Sequence, residues 1–152
     1  MFHLVLVHPE IPHNTGSAGR LALATGATLH LVRPFGFELD DKHLRRAGLD
    51  YWQQVDLRTW DSLDELQAAA DPAARFWWCS TKARRSLWQA AFRCGDYLVF
   101  GAETRGLPEA LVAAASEQAI HIPMRREGTR SLNLATAVAI VLYEAMRQTR
   151  PL

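Results

Sequence analysis

The segment Ile120–Leu142, IHIPMRREGTRSLNLATAVAIVL, constrains the fold more than any other stretch of the chain. A short apolar strand carrying Ile120 and Ile122 stops at Pro123, which has no N–H to offer a sheet. A loop with Arg125, Arg126, Gly128 and Arg130 follows. Ser131, Leu132 and Asn133 then open a helix that is apolar or small almost all round. Such a helix cannot face water along any side, so it is expected to be buried against a core or a partner. The same segment puts backbone N–H groups, a hydroxyl and an amide at a strand's carboxyl end, where open α/β sheets bind ligands.

The rest of the chain repeats this alternation. Phe2–Val7 reads as a strand, and residues 8–14 as a loop with two prolines. A helix of small and apolar residues is expected from about Thr15 to Thr25, ended by Gly26 as C-cap. Thr28–Val32 is a second strand. Pro34–Phe37 is a loop, and Asp40 can cap a short basic helix, Asp41–Ala47, which Gly48 stops. Val55–Leu57 reads as a strand, Asp61 as the cap of a helix Ser62–Ala70, and Phe76–Cys79 and Tyr97–Phe100 as buried strands. Pro108 is placed in the first turn of a helix running to Ala115. Strands alternating with helices predict an α/β domain, a mostly parallel sheet with helices on both faces. At 152 residues one domain, 1–152, is expected.

Composition bounds the function classes. Net charge is +1, so no global basic field exists. The basic residues are almost all arginine, which suits bidentate phosphate contacts. Arg45-Arg46, Arg84-Arg85 and Arg125-Arg126 are local pairs suited to phosphate contacts. Of Trp77 and Trp78, strand alternation predicts that one points outward or into a partner. Cys79 and Cys94 form no zinc spacing, and none of the histidines has metal-ligand spacing, so no metal is expected. The amino-terminal strand lacks the features of a signal peptide, and no apolar run reaches membrane-spanning length. A cytoplasmic protein is expected.

Three loops that follow strands carry the chemistry: Pro9–Arg20, Gly101–Pro108 and Pro123–Asn133. Their strands can end on one edge of the sheet, so the loops can form one pocket. Gly16, Gly101, Gly106 and Gly128 would allow positive φ and close approach of a ligand. Gly16-Ser17-Ala18-Gly19 is not the dinucleotide fingerprint, and the chain has no P-loop lysine motif. Glu103 can accept from a ribose or position an arginine. Arg20, on an otherwise small and apolar helix, can reach a phosphate or merely snorkel.

At these loops the sequence resembles a known class. NTGSAGRLA (Asn14–Ala22), YLVFGAETRGLP (Tyr97–Pro108) and IHIPMRREGTRSLNLATAVA (Ile120–Ala139) are similar to the three motifs of the SpoU/TrmH class of SPOUT RNA 2′-O-methyltransferases. HPEIPHNTG, DDKHLRRAGLDYW and FGAETRGLP look like the small stand-alone subgroup, of the TrmL type, that methylates the wobble ribose of tRNA. The resemblance implies a carboxyl-terminal trefoil knot, against the general expectation of unknotted chains. It implies S-adenosylmethionine held by Cys79, Gly101, Ile122, Ser131, Leu132 and Leu134. Asn14, Arg20, Glu103, Ser131 and Asn133 match the class's catalytic positions. It also implies a homodimer packed through the first and last helices, with Arg20 entering from the partner, and the tRNA anticodon arm as substrate; Arg45, Arg46, Arg84, Arg85, Arg125 and Arg126 are then candidates for RNA phosphates, and Phe35, Tyr51 and Trp52, if exposed, for stacking a splayed base. Ser17-Ala18-Gly19 is smaller than the bulky apolar pair that the class usually has before the arginine. The alternatives are a 2′-O-methyltransferase acting on another tRNA or ribosomal RNA position, and a non-catalytic RNA-binding module.

Overall fold

The computed structural model describes residues 1–39 and 50–149. The helix expected over 41–47, with its cap and stop, and Arg45 and Arg46 therefore lie outside the described residues. Among those described, the elements in chain order are β1 (His3–Val7), α1 (Pro12–Thr25), β2 (Thr28–Val32), β3 (Leu57–Trp60), α2 (Leu63–Ala69), β4 (Phe76–Cys79), β5 (Arg85–Ser86), β6 (Tyr97–Phe100), α3 (Glu109–Ala115), β7 (Ala119–His121) and α4 (Leu134–Thr149).

The seven strands form one parallel sheet in the order β3-β2-β1-β6-β4-β7-β5. Both faces are covered, which is why the strands read as continuous apolar runs. Leu4 and Leu6 of β1 point to the α1–α4 side with Ala18, Ala22, Val138, Val141 and Leu142. Val5 and Val7 point to the other side with Leu66 of α2 and Val112 of α3. Trp77 and Trp78 follow the same rule, one in each core layer. Both are buried, so the expectation of an outward-facing tryptophan there is corrected: a sheet clad on two faces has no outward side at β4. The exposed tryptophan is Trp88, at 63 %.

Several boundaries differ from expectation for local reasons. α1 begins at Pro12 rather than Thr15, since proline fits the first helical position, where its missing N–H is not needed. Ser62, not Asp61, caps α2: its hydroxyl accepts from the Glu65 N–H, while the Glu65 carboxylate accepts from the Asp61 N–H. Pro108 is the N-cap of α3 rather than part of its first turn. β3 pairs over Leu57–Trp60 instead of 55–57, because Val55 ends the short 3₁₀ turn Trp52–Gln54. The two-residue β5 has no sequence signature of its own.

The strand order contains one arrangement that local patterning does not foretell. β4 leads to β5 through residues 80–84 alone, yet β7, the last strand, lies between them. The carboxyl-terminal segment is therefore placed inside a region the chain has already outlined. From there α4 folds back onto α1.

Candidate active site

β4, β6 and β7 run parallel, so Cys79, Gly101 and Ile122 emerge at the same edge. A cavity of about 730 Å³ opens there, lined by the ends of these strands, the 101–107 loop, residues 130–134 and the first turns of α4. That size suits a small organic ligand.

The 101–107 loop doubles back on itself. Ala102 bridges Gly106, whose N–H donates to the Ala102 carbonyl at 2.8 Å. A Cβ on Gly101 would collide with the Gly106 carbonyl and the Leu107 nitrogen, so only glycine lets the loop close on itself here. Gly106 uses its freedom differently, at φ +66°. Of the four glycines expected to permit positive φ, only Gly106 adopts it. Gly16 is inside α1, Gly101 serves close approach, and Gly128 is not among the positive-φ residues.

Polar contacts between the three loops converge on Glu103. One carboxylate oxygen accepts from the Glu10 N–H at 2.9 Å; the other accepts from the Ile11 N–H at 2.7 Å and from Asn14 Nδ2 at 3.3 Å. The Asn14 Oδ1 in turn accepts from Asn133 Nδ2 at 3.0 Å. Asn133 Oδ1 accepts from the Thr136 N–H at 3.1 Å, capping α4. Asn14 is buried and its amide is used at both ends, so its orientation is fixed by its partners. Glu10 closes a reciprocal clamp by accepting from the Thr104 N–H and hydroxyl at 3.2 and 2.6 Å. Those bonds hold the Glu10 carboxyl below its usual pKa. α4 consequently starts at Leu134, with Ser131 and Leu132 in the loop before it rather than in the helix.

All six residues named as cofactor contacts, Cys79, Gly101, Ile122, Ser131, Leu132 and Leu134, line the cavity. Asn14, Glu103 and Asn133 line it too. Arg20 does not: it is exposed on α1, its guanidinium 5.8 Å from the ring centre of Tyr51. Arg84, Arg125 and Arg126 are exposed, while Arg85 is half-buried, 3.9 Å from Glu117. Trp52 is buried and so is removed from the stacking candidates; Phe35 and Tyr51 are half-buried. Burial pushes the Cys79 thiol well above its ordinary pKa, which keeps it a neutral wall residue. Sequence reading passed over Ser80, Thr81 and Lys82, which also line the cavity, and Glu10 of the clamp. The one available signal for Glu10 was its place in the first of the three loops.

The cavity has the chemistry of a site for a nucleoside-like group. Phe100, Ile122, Leu134 and Val141 supply apolar wall, and Gly101 lets the 101–107 loop fold close enough to complete it. His121, also on the lining, has a buried Nδ1 without a hydrogen-bond partner. Among the described residues no group of three His, Cys, Asp or Glu side chains is gathered for a metal ion, and no helix is long and apolar enough to cross a membrane.

The profile of the SpoU rRNA Methylase family matches residues 1–143. The chain belongs to that family. Within it, the chain is 51 % identical over 150 residues to the tRNA (cytidine(34)-2′-O)-methyltransferase of Burkholderia pseudomallei, covering 97 % of this chain and 96 % of the relative. It is 48 % identical to the protein of the same name from Saccharophagus degradans, covering 97 % and 96 %. A solved structure concerned with 2-OH methylation of C/U34 on tRNA superposes with a TM-score of 0.90 at 51 % identity, covering 97 % of this chain and 95 % of that one. The SpoU methyltransferase AviRb from Streptomyces viridochromogenes, solved in complex with the cofactor AdoMet, superposes with a TM-score of 0.79 at 26 % identity. This chain covers 59 % of AviRb and 96 % of itself is matched. The α/β architecture inferred from alternation is thus that of the SpoU methylases.

Proposed function

We propose that this chain transfers a methyl group from S-adenosylmethionine to the ribose 2′-oxygen of the wobble nucleotide, cytidine or uridine 34, of tRNA. The observation that carries the reading is the cavity closed by Glu103, Asn14 and Asn133, in a chain alike over nearly its whole length to enzymes named for that reaction. S-adenosylmethionine, when bound, supplies a methyl already activated by its sulfonium. Gly101, Ile122, Leu132 and Leu134 would hold it through backbone and apolar contact, with Cys79 as neutral wall and Ser131 at the rim.

The remaining task of the protein is to place a ribose hydroxyl in line and manage its charge. Positioning of this kind supplies roughly 7–11 kcal/mol in favourable cases. The Glu103–Asn14–Asn133 chain holds three loops in one geometry, so the hydroxyl meets a rigid floor. Arg20 holds the phosphate beside the target ribose and stabilises negative charge growing on the 2′-oxygen. A guanidinium stays charged in proteins, so the hydroxyl proton passes to that phosphate or to water.

Arg20 lies outside the lining of its own cavity, which supports a homodimer in which it serves the partner's cavity. α1 and α4, with Leu23 and Tyr143 exposed, are the faces for that contact. The position of β7 between β4 and β5 supports a trefoil knot around the cofactor loop. Arg84, Arg85, Arg125 and Arg126, with Arg45 and Arg46, are proposed to meet the anticodon arm, and the enzyme to work in the cytoplasm. Methylation of tRNA transcripts with nucleotide-level mapping tests the reading. The methyl is expected on ribose 34; a product at any other position would overturn the substrate assignment. Arg20→Ala is expected to lose turnover by about 100-fold or more while calorimetric binding of S-adenosylmethionine is unchanged. Full turnover by that variant would remove Arg20 from the mechanism.

A further inference from the structure

Resting on the reading of Arg20 above, the geometry points to Tyr51 as the residue that positions Arg20 for the methylation step. Tyr51 and Trp52 together grip the helix that carries the arginine. The Tyr51 hydroxyl donates to the Gly16 carbonyl at 3.0 Å, inside α1. Trp52 is buried against Gly19, where any Cβ would collide with its ring. Gly19, just before the arginine, therefore has a physical cause in this chain: it admits the Trp52 indole. With the ring anchored at its hydroxyl and its neighbour wedged against the helix, the Tyr51 face lies under the guanidinium, 5.8 Å from its carbon.

Arg20 needs such a support. It is exposed on α1, and the preceding turn on its own face offers only Gly16 and Ser17 as side-chain wall. A free arginine samples many rotamers, and fixing it costs entropy each time substrate binds. An aromatic face restricts the guanidinium without consuming any of its five N–H donors, all of which remain for a phosphate. A carboxylate in the same place would take those donors and neutralise the charge. Tyr51 thus acts through Arg20 and does not itself touch the reacting atoms.

Three variants of the intact dimer test this. Tyr51→Leu removes the ring and is expected to lower kcat on tRNA about five- to tenfold, with S-adenosylmethionine affinity unchanged. Tyr51→Phe keeps the face, loses only the bond to Gly16, and is expected to retain at least half of kcat. Tyr51→Leu added to Arg20→Ala is expected to have no further effect on kcat, because the two act as one unit. Thermal unfolding of each variant accompanies the kinetics. Equal loss in Tyr51→Phe and Tyr51→Leu would make the hydroxyl clasp, not the ring, the functional element and overturn the proposal. So would a Tyr51→Leu effect of the same size with and without Arg20. If instead Arg20→Ala alone leaves turnover intact, the assignment of Arg20 fails, and that outcome is read without Tyr51.

Discussion

Glu103→Gln keeps the shape of the side chain at the hub of the site and changes only its hydrogen-bonding code. The carboxylate accepts three bonds, two from the Glu10 and Ile11 N–H groups and one from the Asn14 amide. Glutamine has one oxygen to offer. If its NH₂ takes the Oε1 place, the Glu10 N–H faces another donor; if it takes the Oε2 place, the Ile11 N–H and Asn14 both do. The first arrangement is cheaper. An unsatisfied donor costs about 1–3 kcal/mol, and the bonds that remain lose their charge assistance. Glu103 is half-buried, so water offsets part of the loss. A net destabilisation of about 2 kcal/mol is expected, or about 4–8 °C in Tm for a chain of this size. The Asn14 and Asn133 amides sit directly downstream, so cofactor affinity is expected to fall about tenfold as well. Urea unfolding at fixed protein concentration and calorimetric titration with S-adenosylmethionine read the two effects. Asn14→Ala combined with Glu103→Gln is expected to cost less than the sum of the single changes, since they break one network. A Glu103→Gln protein with wild-type stability and affinity would show that the carboxylate is a solvated loop residue and the hub reasoning is wrong.

Two further predictions concern other parts of the fold. Gly101→Ala forces a methyl into the Gly106–Leu107 backbone; a cost of about 1–3 kcal/mol and loss of measurable cofactor binding are expected by thermal shift and calorimetry, and an unchanged affinity would sink the close-approach role. His30 accepts from Trp60 Nε1 at 3.0 Å and lies 2.9 Å from His3, with burial first and the charges around it second pushing its pKa down to about 3. The unfolded chain takes up that proton near pH 6.5, so between these values folding expels a proton and stability falls as pH drops. The slope from this site is up to about 1.4 kcal/mol per pH unit. Urea midpoints from pH 7 to pH 4 should fall more steeply in the wild type than in His30→Gln; parallel curves would refute the assignment.

What was legible in the chain was local. Phe76–Cys79 and Tyr97–Phe100 have the bounds read from their apolar runs, because a strand buried on both faces leaves an uninterrupted apolar signal. Boundaries failed where side chains, not hydrophobicity, set the end: Ser62 took the cap from Asp61, and Asn133 delayed α4 to Leu134. Within its own protomer the last helix buries one side only, which leaves the other for the partner contact proposed above. Tyr143 and Thr136 are exposed while Val138, Val141 and Leu142 are buried. A mean of many small apolar residues hides which of them face inward.

By itself the sequence determined the alternation of strands and helices, the three loops that carry the polar groups, and the motifs that place the chain among the SpoU methylases. Those depend on neighbours within a few positions, where periodicity and capping act. Only the tertiary structure decided that β7 enters between β4 and β5, that Glu103 reaches Asn14 across 89 positions and Asn14 reaches Asn133 across 119, and that Tyr51 lies under Arg20. Contacts of that range come from how the sheet is ordered and how α4 docks on α1, and no local pattern of residues encodes an order that packing alone selects.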